Sequence, residues 1–195
     1  MQNSSDDSGD DICILNPKDR PNDSVSSITW SPLLNQYIFA SASWDSKIGI
    51  YEIQPSTLFR GIILQRSFHL EDPALGTCWS PDSRVLFAGC VNNKVLAFDV
   101  ESGKNITVYE HESFVKDIHL TNKENVIASL SYDRTLKIWD LRQAEQVLSF
   151  DLKQKPFCST ANQTQVLIGL DNEQLIFLDW KDLFEQKNPT KQCLL

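Results

Sequence analysis

The stretch Thr135-Leu-Lys-Ile-Trp-Asp-Leu141 decides the fold, because three others repeat its pattern. They are Lys47-Ile-Gly-Ile-Tyr-Glu-Ile53, Lys94-Val-Leu-Ala-Phe-Asp-Val100 and Gln174-Leu-Ile-Phe-Leu-Asp-Trp180. Each opens with a polar residue, places an apolar or aromatic residue fifth and an acid sixth. The fifth positions, Tyr51, Phe98, Trp139 and Leu178, are 47, 41 and 39 residues apart. Self-similarity at such a period marks an architecture of repeated units.

Working outward, each heptad has a matched strand upstream: Tyr37–Ser43, Arg84–Cys90, Asn125–Ser131 and Gln165–Leu170. Between the two lies a short turn carrying Asp45, Asn92, Asp133 or Asp171-Asn172. Asp and Asn suit such turns because their side chains bond nearby backbone and tolerate left-handed geometry. A third strand lies earlier, in Val25–Pro32, Leu75–Pro81 and Val115–Leu120, with Pro156–Ala161 as a weak fourth copy. Proline cannot extend a central ladder, so Trp-Ser-Pro reads as strand, then turn. A variable fourth strand follows in Ile62–Arg66, Asn105–Tyr109 and Gln146–Phe150. Four strands per unit at a period near 40 predict an all-β propeller with four recognisable blades. A sandwich would show turns every ~8–12 residues and no such repeat. The blades span approximately 25–69, 74–111, 114–152 and 156–180 within a propeller region 11–180. Residues 1–10 read as an acidic, disordered tail and 181–195 as a C-terminal tail. The one helix candidate is Trp180–Gln186.

Composition is that of an ordinary globular domain, 41% apolar and 23% charged. No apolar run approaches the ~20 residues of a membrane-spanning helix, and the start lacks the pattern of a secretory signal. The net charge is −8. Six Asp against Lys18 and Arg20 concentrate it in residues 1–24. An acidic chain is repelled by phosphate backbones, which disfavours direct, tight nucleic-acid binding. The five cysteines (Cys13, Cys78, Cys90, Cys158 and Cys193) are odd in number and contain no C-x-x-C pair. They read as reduced, mostly buried thiols, not as a disulfide framework or zinc site. With seven glycines and no phosphate loop, no metal or cofactor is expected.

The units resemble WD repeats, and unit three resembles them most: His111, then Ser129-Leu-Ser131-Tyr-Asp133, then Trp139-Asp140. The resemblance implies that His111, Ser129, Asp133 and Trp139 form a hydrogen-bonded structural cluster. The spacing of 22 residues from His111 to Asp133 and 6 from Asp133 to Trp139 matches that family. A His, a Ser and an Asp together also suggest a hydrolase triad. The structural reading prevails, because these residues sit at repeat-defined positions without a nucleophile elbow. Unit two carries a decayed version in His69, Asn92 and Phe98. No catalytic residue is expected, and no small-molecule substrate.

A narrower resemblance rests on Pro21–Pro32, Ser41-Ala-Ser-Trp-Asp45, Cys78-Trp-Ser80 and His111–His119. These are similar to the nuclear-pore mRNA export WD-repeat proteins of the Rae/Gle type. Bub-type mitotic checkpoint propellers are similar too. The resemblance implies a scaffold in poly(A) RNA export, located in the nucleus and at the nuclear pore, with the cytoplasm as a second compartment. The implied partner is a nucleoporin segment, and RNA would be touched weakly or through that partner. A spindle checkpoint adaptor, or an RNA-binding module acting with a partner, is the alternative. Such proteins close seven blades, so four units make an incomplete ring. A truncated gene model, a smaller closed ring, or capping by a partner or second copy would each account for it. Open end blades would leave apolar faces wet, at roughly 25 cal/mol per Å2.

Loops gather on the two faces of a propeller, where function usually sits. The residue before each turn Asp points away from the cluster toward the upper rim. This makes Trp44 and Tyr132 the candidate partner contacts, since exposed Trp and Tyr are good interface anchors. The competing reading is that both pack against a neighbouring blade.

Overall fold

The computed structural model describes residues 15–34, 36–54, 61–143, 145–185 and, by backbone, 191–194. Sheet one comprises β1 (Val25–Trp30), β2 (Ile38–Ser43), β3 (Lys47–Gln54) and β4 (Gly61–His69). Sheet two holds β5 (Ala74–Trp79), β6 (Val85–Cys90), β7 (Lys94–Asp99) and β8 (Asn105–Glu110). Sheet three holds β9 (Val115–Leu120), β10 (Val126–Ser131), β11 (Thr135–Asp140) and β12 (Glu145–Asp151). Sheet four holds β13 (Pro156–Ala161), β14 (Gln165–Leu170) and β15 (Gln174–Asp179), then helix α1 (Trp180–Phe184) and β16 (Lys191–Leu194). All four are antiparallel meanders, and the architecture is the expected β-propeller.

The repeat extends to backbone detail. The residue after the turn Asp or Asn is left-handed in every sheet: Ser46, Asn93, Arg134 and Glu173, with φ of 61°, 71°, 69° and 63°. The first pair of each sheet carries a bulge near the start of its inner strand. Bulges bend and twist a strand locally.

Alternation along each strand sends apolar side chains to both faces, so three cores lie between four sheets. Ile48, Ile50, Phe68, Leu86 and Phe98 fill the first joint. Phe87, Val95, Val115, Ile118 and Trp139 fill the second, and Leu136, Ile138, Ile168, Leu178 and Trp180 the third. The end faces are wet. On sheet one, Ile28 is 65% exposed and Trp30 57%, and on sheet four Phe157 is 64% exposed. Neighbouring sheets pack through their inner strands, and no comparably packed strand pair joins sheet four to sheet one among the described residues.

Three expectations change. The sequence reads residues 181–195 as a tail, yet most of α1 and all of β16 fall there, and β16 pairs with β15 as the outer strand of sheet four. Lys191-Gln-Cys-Leu194 is too short to show alternation, so the ladder alone defines it. The thiols are not uniformly buried: Cys90 is, Cys78 is partly so and Cys158 is exposed. His69 is exposed and Asn92 bonds Asp72 instead, so unit two lacks the decayed cluster. Phe98 offers no N–H to hold one together. The acidic tail 1–10 and Cys13 lie outside the described residues.

Candidate functional site

The cluster of sheet three is built by three segments. His111 follows β8, Ser129 lies within β10, and Asp133 sits in the turn leading to β11, which carries Trp139. Trp139 Nε1 donates to Ser129 Oγ at 2.7 Å. His111 Nε2 meets the same Oγ at 2.7 Å, and His111 Nδ1 meets Asp133 Oδ2 at 2.8 Å. A carboxylate can only accept, so the ring proton sits on Nδ1, facing Asp133; Nε2 then accepts the Ser129 hydroxyl proton, while the indole N–H donates to the same oxygen. Asp133 also accepts from Glu112 N (3.1 Å), Thr135 N (3.0 Å) and Thr135 Oγ1 (2.6 Å). Burial pushes its carboxyl up. Hydrogen bonds from His111 and Thr135, with the His111 ring beside it, outweigh burial and hold it well below the usual carboxylate range. Tyr109 stacks on Trp139 with centroids 4.0 Å apart and closes the cluster from sheet two.

This arrangement fixes architecture. Ser129 and the His111 side chain are fully buried, so no substrate could approach the hydroxyl. Sheet one repeats the frame incompletely. Asn22 N donates to Asp45 Oδ2 at 2.8 Å, but Pro21 stands where His111 would and Lys47 where Thr135 would. Asp45 Oδ1 is left buried without a partner, the one such side-chain atom among the described residues.

The cluster orients a rim. Trp44, Val91, Tyr132 and Asp171 each donate their backbone N–H to the residue preceding an inner strand: Ser24, Pro73, Phe114 and Lys155. All four therefore stand at one end of the sheets. Trp44 is 48% exposed, whereas Tyr132 is half-buried with its ring against Phe114, 6.2 Å between centroids. Phe114 itself is 46% exposed. Sequence reasoning missed Phe114 as an exposed aromatic of this rim. Its position just ahead of an inner strand, beside the rim residue of its own unit, was the available signal. Also missed was a second polar cluster, Asp117, His119 and Ser159, where sheets three and four meet.

A family model described as WD domain, G-beta repeat, matches residues 103–140. Along most of its length the chain is similar to the Poly(A)+ RNA export protein of Schizosaccharomyces pombe, 30% identical over 190 residues, covering 91% of this chain and 52% of that one. Protein Rae1 of Drosophila melanogaster is 29% identical, covering 80% and 45%. Mitotic checkpoint protein BUB3.3 of Arabidopsis thaliana is 26% identical, covering 91% and 53%. The chain thus spans about half the length of these relatives. Among solved structures, that of U3-55K superposes with a TM-score of 0.73 at 14% identity, over 89% of this chain and 52% of that one, a likeness of fold.

Proposed function

Because this chain is built as a WD-repeat β-propeller, we propose that it is a non-catalytic interaction platform in poly(A) RNA export from the nucleus, acting at the nuclear pore. The reading is supported by similarity to an RNA export protein and to Rae1 along most of the chain. One observation carries it: Trp44, Phe114 and Tyr132 stand at one rim on turns anchored by the Asp45 and Asp133 frames. Rigid aromatic anchors bury much area at little entropic cost, which is what a peptide-docking surface needs. The partner is a nucleoporin segment. RNA contact is weak or indirect, in keeping with the net charge of −8. No helix among the described residues is long and apolar enough to cross a membrane.

The test is a binding titration of synthetic peptides tiling nucleoporins against the chain and its Trp44→Ala/Tyr132→Ala variant. The expected outcome is one saturable peptide whose affinity falls at least tenfold in the variant, with circular dichroism unchanged. An unchanged affinity removes the rim as the docking site. A steep fall of log affinity for RNA with log salt, in the absence of peptide, would instead favour a direct RNA binder.

A further inference from the structure

The three joints follow one rule of register, and the two open faces carry its unmatched halves. Each inner strand pairs with its second strand in the same order: Ser27 with Ala42, Gly76 with Gly89, Asp117 with Leu130 and Cys158 with Gly169. These four inner positions face the following sheet. The next residue along, Ile28, Thr77, Ile118 or Ser159, faces the preceding one. In the first joint Ser27 Oγ meets Thr77 Oγ1 at 2.9 Å, and in the third Ser159 Oγ donates to Asp117 Oδ2 at 2.7 Å. In the second joint the same positions hold Gly76 and Ile118, neither of them polar. A polar residue on one side of a joint is thus matched by a polar one on the other, and an apolar residue by an apolar one. The unmatched halves are Cys158 on sheet four and Ile28 on sheet one, a small thiol that behaves as a hydrophobe and an alkyl chain.

Both lie on open faces. Ile28 is 65% exposed, while Thr77 and Ile118 at its position are 6% and 1% exposed. Trp30 is 57% exposed, against 3% for Trp79. Trp30 stands opposite Phe39 and Phe39 opposite Tyr51, so the three rings share the face turned away from sheet two. On sheet four, Leu167 stands opposite both Thr160 and Phe177 and faces away from sheet three. It is 37% exposed, whereas Phe87 and Ala128 at its position are 3% and 0% exposed. The first joint shows what such halves do when they meet. Trp79 packs in one core with Ala40 and Ile50 of sheet one, and its Nε1 donates to Thr29 O at 3.2 Å. Thr160 holds the place of Thr29 on sheet four, and the indole N–H of Trp30 has no acceptor among the described residues.

We propose that sheet four of one copy of this chain packs on sheet one of a second copy, and that the reverse contact closes the pair into a ring of eight sheets. In each new joint Cys158 lies against Ile28, and Trp30 covers Leu167 and gives its N–H to Thr160 O. A second copy is the occupant because the exposed halves fit each other by the rule of the three existing joints, while the end sheets of one chain do not pack together. A head-to-tail contact must close or it grows into a fibre. Propellers typically hold ~4–8 four-stranded sheets. With four sheets in each copy, two copies reach that limit. The contact is independent of the rim and of the export reading.

Sedimentation velocity over a dilution series reads the assembly. The wild-type chain is expected to pass from monomer to dimer as concentration rises. Trp30→Glu and Leu167→Glu each bury an unpaired charge in both joints and should weaken the dimer at least ~100-fold. Both positions are open to solvent in the single chain, so circular dichroism of the monomers should not change. Mixed in equal amounts, the two variants should regain a dimer, because one joint of the mixed pair is then free of both charges. A monomer at every concentration, an open polymer, a mixture that stays monomeric, or a dimer that survives Leu167→Glu overturns the proposal; the last would mean sheet one packed on itself. Covalent trapping tests the register. Under copper-phenanthroline oxidation, Ile28→Cys should be linked to Cys158 of another copy, seen as a doubled mass on a non-reducing gel, and the link should vanish in Ile28→Cys/Cys158→Ser. No link in the first variant, or one that persists in the second, overturns the pairing.

Discussion

Replacing Asp133 with Ala tests whether the cluster of sheet three is architectural. The carboxylate accepts four hydrogen bonds, from His111 Nδ1, Glu112 N, Thr135 N and Thr135 Oγ1. Glu112 is exposed, so water can satisfy its N–H. The His111 side chain is fully buried, and its Nδ1–H would lose its acceptor. A buried donor left unmet costs about 1–3 kcal/mol, and Thr135 loses its acceptor as well. The expected loss is therefore about 2–3 kcal/mol at pH 7. For a domain this size about 1 kcal/mol moves Tm by roughly 2–4 °C, so melting should fall by roughly 4–12 °C. Asp45→Ala is the internal control. It removes one bond from Asn22 and a 3.7 Å ion pair with Lys47, and it deletes an unpartnered oxygen. It should cost about 1 kcal/mol or less. The gap for Asp133 also has a pH signature. Its folded carboxyl titrates below the unfolded value of about 3.9, so the stabilisation is fully present above that value. It is lost as pH falls through the folded titration, and the wild-type and variant curves should converge below about pH 4. Urea denaturation across pH 7 to 3 reads both effects. Equal losses for Asp133→Ala and Asp45→Ala, or a gap that widens in acid, would refute the reasoning.

Two further substitutions test sheet one and the second joint. Lys47→Thr places a hydroxyl where Thr135 Oγ1 satisfies Asp133, so it should pair Asp45 Oδ1 and raise stability by about 1 kcal/mol in urea titration; a loss would show that the Lys47 ion pair matters more. Gly76→Ala puts a Cβ 2.7 Å from the Asp117 Cα, which is backbone and cannot swing aside. It should cost about 1–3 kcal/mol by thermal melt, and a neutral result would mean that the β5–β9 contact is looser than described.

The sheets were legible because one signal recurs: alternating apolar strands around an Asp or Asn turn, near every 40 residues. The cluster was legible through resemblance, since four side chains of ordinary type at spacings of 22 and 6 carry no geometry by themselves. What could not be read was whatever departs from the repeat. β16 escaped because four residues on an outer strand are too few to show alternation. The loss of the cluster in sheet two escaped because His69 and Asn92 stand in order along the chain. Only the fold shows Asn92 turned to Asp72, 3.1 Å away. The Asp117–His119–Ser159 cluster joins residues 40 and 42 apart that occupy no shared motif.

The joints show how a repeat tolerates such drift. Trp79 ends β5 and Val100 follows β7, and both pack in or against the first core. At the matching positions of sheet four stand Ala161 and Trp180, in or against the third core. The large ring has changed strands while the pair keeps a similar volume, and each indole N–H finds a backbone carbonyl, Thr29 or Asn162. Close packing constrains the summed volume at a joint more than the identity of either residue. Polar frames obey a stricter rule, because a missing donor cannot be supplied by volume. Sheet one lost its His and Thr and kept a buried carboxylate with an orphan oxygen, while sheet three kept every partner. The rim that these frames hold is therefore uneven: Tyr132 stands on a fully bonded turn and Trp44 on a weakened one. If the proposed docking at this rim holds, Trp44→Ala and Tyr132→Ala should weaken peptide binding unequally, with the larger loss for Tyr132 on the fully bonded turn, as read by separate titrations of the two single variants; equal losses would show that the frame beneath the rim does not set the strength of the anchor.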